Sequence, residues 1–444
     1  MINSLRDYIE IMKGKDRVLE IKDPVSREDI PELIEKLSDI KKILLFEHID
    51  GYDCRLVANC IPSLDVFSVL MGGVSNPGEA FLEGTKKVYK KISVERFGLS
   101  TMDVRNKDLL DVLPVLKHYE GDSAPFITSS VISSIDPDTG FIGRGVHRME
   151  YRGKNFLGVT LLNPPLGDIY KKYRERHEKM PITVSLGVDP LLFISMALKA
   201  SWGADKIETA GGLRGKGIEV ISSYDSSIDV PAGCEFYLEG FVTMEKGMQD
   251  GPMGEISGYY LSLKETPTVE IHRLTRRESP IYHALLPTSA EADLYLVFVS
   301  SAHIEENAKK LFPFITKITF IRKTFGSSVV VNVGSTERFK IRSLIMFLLS
   351  FPMIKKAVIV DDDVDAEDLR DVEWAVITRS SASEDMIIVN GLQGQPIDPQ
   401  AEGGNGVTKI GFNATVQGKS IKDRAHVVKG DSERIRKILN LIER

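Results

Sequence analysis

Three cysteines in 444 residues, with no paired spacing among them, exclude a disulfide framework and a cysteine-based zinc site. Cys54, Cys60 and Cys234 are expected to be buried thiols in a reducing compartment. Long apolar runs are also missing. None reaches the ~18 residues of a membrane span, and the first residues carry no charged-then-apolar leader, so a cytoplasmic protein without a membrane span is expected. Positive charge is in deficit. With 57 Lys and Arg against 63 Asp and Glu, the net charge is -6 and no basic face shows as a run, which argues against nucleic acid as the principal partner. No internal repeat or low-complexity segment stands out.

What is present is a globular composition, 42% hydrophobic and 27% charged, in a chain too long for one ordinary core. Pattern divides it at about residues 105 and 300. The first part, 1–105, pairs a predicted helix over Arg27 to Leu37, opened by Ser26 as N-cap, with the strand-like run Ile43 to Phe46, giving a small α/β domain. The middle, 106–300, is rich in short β-patterned runs such as Phe126-Ile127-Thr128 and Thr268 to His272, interrupted by one helix near Leu191 to Ala200. The last part, 301–444, alternates strand (Ser327 to Val333), helix (Lys340 to Leu349) and strand (Lys356 to Val360), an α/β layer pattern. Ser432 to Glu443 places Ile435, Ile438, Leu439 and Ile442 at helical spacing, a stripe that would dock on another subunit or on its own domain.

The most informative segment runs from Asp250 to Tyr260. A Gly-Pro-Met-Gly stretch separates Asp250 from Glu255 and reads as a tight connection, with a strand following, so that Glu255 is expected at a turn-to-strand junction. Such a turn can aim both carboxylates at one site, although a solvated acidic hairpin loop has the same spacing.

This segment resembles the acidic motif of the UbiD-type decarboxylases, which use prenylated FMN to remove carboxyl groups from unsaturated and aromatic acids. Further stretches match that family in order: Val146-His147-Arg148 with Gly153-Lys154-Asn155, Val184 to Pro190, Leu213-Arg214-Gly215, Val230-Pro231-Ala232, Ile281-Tyr282-His283, Val360 to Val364, Asp371 to Ala375, Ile397-Asp398-Pro399 and Lys409 to Thr415. The resemblance implies an α+β multidomain fold, with a central split β-barrel carrying the flavin between N-terminal and C-terminal α/β domains, assembled as a homo-oligomer. It implies Arg148 as the active-site arginine, Asp250 as its partner and Glu255 as proton donor. It implies flavin contacts at Val146, His147, Arg148, Thr160, Leu161, Leu162 and, near the phosphate, Lys409. It also implies a flavin prenyltransferase as the source of the cofactor.

The chemistry agrees with these roles. A planar guanidinium suits bidentate contact with a carboxylate. No natural side chain stabilises the charge left on a vinyl or aryl carbon that loses CO2, so a cofactor must supply the electron sink. Two neighbouring carboxyls beside one arginine are expected to titrate apart, Glu255 held protonated near neutral pH and Asp250 ionised.

The departures fall at the family's divalent metal, Mn or Mg, which lies between the flavin phosphate and an Asn, a Glu and sometimes a His. The Asn position is Gly143, the Glu position is Lys206, and no histidine stands around Pro164 to Asp168. Three readings follow: Lys206 supplies positive charge directly to the phosphate, or Glu208 is the ligand through a two-residue shift, or cofactor binding has decayed and the chain is an auxiliary subunit of a carboxylase assembly. The acidic run at Asp361, Asp362, Asp363, Asp365 and Asp368 lacks the central Gly and terminal Glu of a calcium loop and reads as a strand-end loop. Gly403-Gly404-Asn405-Gly406 lacks the Lys-Ser/Thr ending of a phosphate loop and is expected to be a mobile loop over substrate, and His283 is expected to be structural. The expected activity is reversible decarboxylation of an α,β-unsaturated or phenolic carboxylic acid, in isoprenoid or quinone biosynthesis or in aromatic degradation.

Overall fold

The computed structural model describes residues 2–421 apart from 162, 199–201 and 402–405, and beyond them 424, 425, 427, 428, 432, 433 and 435. At its centre is a nine-stranded antiparallel sheet. Its order is Phe126–Ile127, Met149–Tyr151, Phe156–Val159, Thr268–Arg277, Phe236–Val242, Pro181–Leu186, Val131–Ile135, Ile142–Val146, with Leu99–Asp103 pairing the second half of Thr268–Arg277, beyond the ladder with Phe156–Val159.

Chain connectivity dictates the shape of this sheet. Ile142–Val146 and Met149–Tyr151 stand six strand steps apart, about 29 Å in a flat sheet at ~4.8 Å per step. Only His147 and Arg148 join them, and two intervening residues reach at most about 11 Å. The sheet therefore curls until its ends face each other. No ladder among the described residues pairs these two ends, so the barrel is split, and His147 and Arg148 cross the split. Thr128, Ser129 and Ser130 cross it a second time, and the hydroxyl of Ser130 donates to the carbonyl of His147.

A four-stranded sheet, in the order Val18–Ile21, Ile43–Phe46, Arg55–Ala58 and Ile281–Ala284, packs beside the barrel. Strands cross the sequence divisions near 105 and 300: Leu99–Asp103 joins the barrel, and Ile281–Ala284 joins the N-terminal sheet. The first predicted helix is shorter than expected, Ile30–Leu37, with Asp29 at its N-cap. Ser26 instead folds a turn ahead of it, accepting from the Glu28 amide at 3.3 Å. Phe126–Ile127 and Ile43–Phe46 form as predicted, and the middle helix is Pro190–Met196.

The last sheet follows the order Ile315–Phe320, Ser328–Val333, Lys356–Asp361, Val407–Ala414, Met386–Leu392, with its three central strands parallel. Strand side chains alternate between faces, so Val329, Val331 and Ile359 pack under helix Arg338–Leu349, while Val330, Val358 and Val360 pack under helix Leu369–Arg379. This is the α/β layer that the pattern predicts. The acidic run closes the end of that sheet: Arg379 ties Asp361 at 2.9 Å and Asp363 at 2.6 Å. The three cysteines are buried and free. Cys60 lies against His283 and Glu291, with His283 Nε2 2.8 Å from the Glu291 carboxylate, in a buried network of the core. No described helix is long and apolar enough to cross a membrane. The glycine-rich loop at Gly403 to Asn405 and most of the apolar stripe at Ser432 to Glu443 lie outside the described residues.

Candidate active site

The split of the barrel brings three predicted residues together. Arg148 enters from the crossing, and its guanidinium donates through Nε to Asp250 Oδ1 at 3.1 Å. Nη2 donates to the same oxygen and Nη1 to Glu255 Oε1. The Phe126 ring lies 5.7 Å from the guanidinium carbon. Asp250 is fully buried, and the Glu255 side chain keeps 21% of its surface exposed. The cluster is thus closed on the Asp250 side and open on the Glu255 side.

Burial pushes both carboxyls above their ordinary range, against the lowering pull of Arg148; Asp250 raises Glu255 further, and Glu150 raises Asp250. The expected division is therefore corrected. Glu255 is raised as expected, but Asp250 is raised too, because desolvation outweighs its arginine. Asp250 Oδ2 has no hydrogen-bond partner among the described residues.

The local backbone also differs from the sequence reading. Gly-Pro-Met-Gly belongs to strand Met248–Gly254, and the turn comes after it, closed by the Glu255 amide on the Tyr259 carbonyl at 3.0 Å, before strand Tyr260–Thr266. Glu255 sits at a strand-to-turn junction rather than a turn-to-strand one. The ladder between these strands is irregular on both sides of Asp250, which is where bulges re-aim side chains. Two carboxylates that the sequence reading missed hold this hairpin. Asp122 accepts from the amides of His118, Tyr119 and Gly254 at 3.0, 3.0 and 2.8 Å. Glu150 accepts from the Gly251 amide at 3.1 Å and the Ser123 hydroxyl at 2.6 Å. Nothing in local spacing marks either residue. Gly254 is required, since a Cβ there would lie 2.2 Å from Tyr119 Cδ2.

The predicted flavin wall is partly assembled. Val146 ends strand Ile142–Val146. His147 Nδ1 donates to the Thr160 carbonyl at 2.6 Å, which leaves Nε2 as an acceptor. Burial lowers the His147 imidazole to about 4, with the Lys206 charge adding to the effect, so the ring is neutral near pH 7. Leu161 is buried beside Thr160, whose hydroxyl is buried without a partner among the described residues, and Leu162 lies outside them. A buried orphan hydroxyl, a neutral imidazole acceptor and a half-neutralised carboxyl pair fit a polar aromatic cofactor such as a flavin.

Lys409 does not join this wall. It is fully buried, and its ammonium donates to the carbonyls of Leu349 at 3.0 Å and Phe351 at 2.6 Å, at the end of helix Arg338–Leu349. The expected phosphate contact is corrected to a helix C-terminal cap, where a cation is favourable.

The residues present do not fit the family's divalent metal. A Cβ on Gly143 would lie 2.5 Å from Ile169 Cδ1 and 3.1 Å from Pro165 Cγ, so the space of an asparagine is already filled. Lys206 places a cation where a carboxylate is needed, donating to the Met196 carbonyl at 2.8 Å. Glu208 follows two residues later on the same helix, Lys206–Arg214, and residues two apart do not share a helix face. Among the described residues, the group of three metal-type ligands within 4.8 Å of one another is the core network Cys60, His283 and Glu291.

Comparison with known proteins gives the family. Residues 94–290 match the 3-octaprenyl-4-hydroxybenzoate carboxy-lyase Rift-related domain, and residues 295–414 match the C-terminal domain of the same family. The chain belongs to the UbiD family of carboxy-lyases. It is 28% identical to an anhydromevalonate phosphate decarboxylase of Methanosarcina mazei, over 92% of this chain and 95% of that one. It is 25% identical to a phenolic acid decarboxylase of Bacillus subtilis, over 92% of each. Among solved structures, the UbiD-class enzyme HmfF of Pelotomaculum thermopropionicum in complex with FMN superposes with a TM-score of 0.88 at 25% identity, over 98% of this chain and 99% of that one. An evolved dimeric form of HmfF in complex with prenylated FMN gives 0.84 at 23%, over 96% and 97%.

Proposed function

We propose that this chain is a prenylated-FMN-dependent decarboxylase, reversible in principle, acting on an α,β-unsaturated or phenolic carboxylic acid. The observation that carries the reading is Arg148 held between the buried Asp250 and the half-buried Glu255 at the split of the barrel. Asp250 fixes the guanidinium and leaves its remaining donor face for the substrate carboxylate. Val146, His147, Thr160 and Leu161 would hold the flavin ring system, whose bound prenylated form supplies the electron sink for the carbon that loses CO2. Glu255, raised by burial and by Asp250, keeps its proton toward neutral pH and delivers it to that carbon. Loss of substrate charge as CO2 departs returns Arg148 fully to the two carboxyls.

An auxiliary, non-catalytic subunit is the second reading, drawn from Gly143 and Lys206. It gives no reason for a buried arginine with two partnered acids, whose desolvation is costly without a ligand to bind. Expected partners are a flavin prenyltransferase, for cofactor supply, and a second copy of the chain. The test is co-expression with a flavin prenyltransferase, mass spectrometry of the released cofactor, and CO2 release from a panel of cinnamate-type, phenolic and phosphorylated unsaturated acids. Bound prenylated FMN with turnover of one panel member supports the decarboxylase. Bound cofactor without deuterium exchange or turnover on any acid moves the assignment to the auxiliary subunit.

A further inference from the structure

A cavity of about 230 Å³ opens at the edge strand Ile142–Val146, walled by Arg144, Lys206, Pro164, Pro165, Asp168 and Trp202. Its charges are unbalanced. Arg144 is buried, donating through Nε to Asp205 at 3.1 Å and through Nη1 to the Ser133 hydroxyl at 2.9 Å, while Nη2 is buried with no partner among the described residues. Asp205 is also shared with Lys91 at 3.3 Å. Lys206 is buried and donates only to the Met196 carbonyl; among the described residues no carboxylate pairs with it. Asp168, the acid in the wall, is 43% exposed and pairs outward with Lys171. Two buried cations facing one cavity, one without a counter-charge and one with a free donor, are costly until an anion arrives.

We infer that this cavity binds a phosphate monoester directly, with Lys206 and the free Nη2 of Arg144 as its cations, in place of a carboxylate and a divalent metal. The inference rests on the flavin reading above. Two sources share the chemistry: the phosphate of the flavin and the phosphate of a phosphorylated substrate. Arg144 precedes Arg148 by four residues, at most about 14 Å of extended chain, a span within reach of a flavin ring and its ribityl phosphate together, and this favours the flavin. A lysine and a guanidinium carry the positive charge without an ion that must be recruited, and the N–H groups of Nη2 can donate to phosphate oxygens.

The test is flavin fluorescence titration of the full chain with FMN and with riboflavin, in excess EDTA and again with Mn²⁺ or Mg²⁺. The expected result is FMN binding in EDTA that added metal leaves unchanged, with riboflavin at least about 10-fold weaker. Lys206→Met is expected to weaken FMN about 10- to 100-fold, the loss of one charge-assisted hydrogen bond, with riboflavin unchanged and Lys206→Arg retaining affinity. If Lys206→Met spares FMN but weakens a phosphorylated unsaturated acid relative to its unphosphorylated form, the site stands with the substrate as its source. A metal requirement for FMN binding overturns the inference, as does a Lys206→Met variant with wild-type affinity for both phosphorylated ligands. Binding is read without turnover, so failure of the decarboxylase assignment shows separately.

Discussion

Arg148 and Lys206 are two cations held in the interior near the open edge of one barrel, and they are matched in opposite ways. Arg148 is paired with both Asp250 and Glu255, so its charge is met by this chain alone. Among the described residues Lys206 has one neutral carbonyl and no carboxylate, and burial pulls its ammonium down to about 8. A third interior cation, Lys409, is satisfied by two carbonyls at a helix end. The difference separates charges that build the protein from charges that wait for a ligand. A matched charge is preorganised for a group that will briefly compete with its partners, and an unmatched one is a standing cost that only binding removes.

The contrast can be broken most severely at the matched centre. Arg148→Met is expected to lower kcat/KM on the order of 10³-fold, since the substrate carboxylate loses its cation and the two carboxyls lose the pull that keeps them ionisable; single-turnover CO2 release measures it. Glu255→Gln removes the proton donor and is expected to cost about 10²- to 10³-fold, with loss of deuterium exchange into product as the signature of proton delivery. Asp250→Asn takes away a charge that raises Glu255, so the alkaline limb of the pH profile, where Glu255 ionises, is expected to move to lower pH; a limb that stays put removes the coupling.

At the unmatched centre the sign reverses. Lys206 is lowered in the folded chain from 10.5 to about 8, so the cost of holding it charged is full below pH 8 and disappears as pH rises to 10.5. Lys206→Met is expected to stabilise the cofactor-free chain at pH 7 by about 1–2 kcal/mol, after allowance for the lost bond to Met196, and the gain is expected to fade between pH 8 and 10.5 in urea melts. Gly143→Asn sharpens the point from the other side. Its side chain must displace Ile169 and Pro165, and thermal unfolding is expected to show about 1–3 kcal/mol of loss without any gain of metal affinity.

Much of this was legible in the sequence, but unevenly. Asp250 and Glu255 could be named because two acids at short spacing coincide with a family motif, and Arg148 because its own segment resembles that family. The C-terminal layer could be drawn because continuous runs such as Val329 to Val333 are buried on both faces. Asp122 and Glu150 could not be found, because their partners are backbone amides brought close only by the curled sheet. Lys409 was misplaced because a lysine on a phosphate and a lysine capping a helix look identical in one dimension. The raising of Asp250 was missed because desolvation is set by the whole fold rather than by neighbours in the chain. Arg144 was passed over beside Gly143, although it becomes conspicuous once its unpartnered nitrogen is seen.

The two-residue crossing from Val146 to Met149 has no slack. Loops elsewhere on this surface can absorb an inserted residue, whereas here one extra residue would rotate the guanidinium away from both acids and one fewer would pull the sheet edges together. Inheritance and engineering meet the same limit: a permuted or recombined version of this barrel can be cut at many connections, and the one that carries Arg148 must be passed on whole.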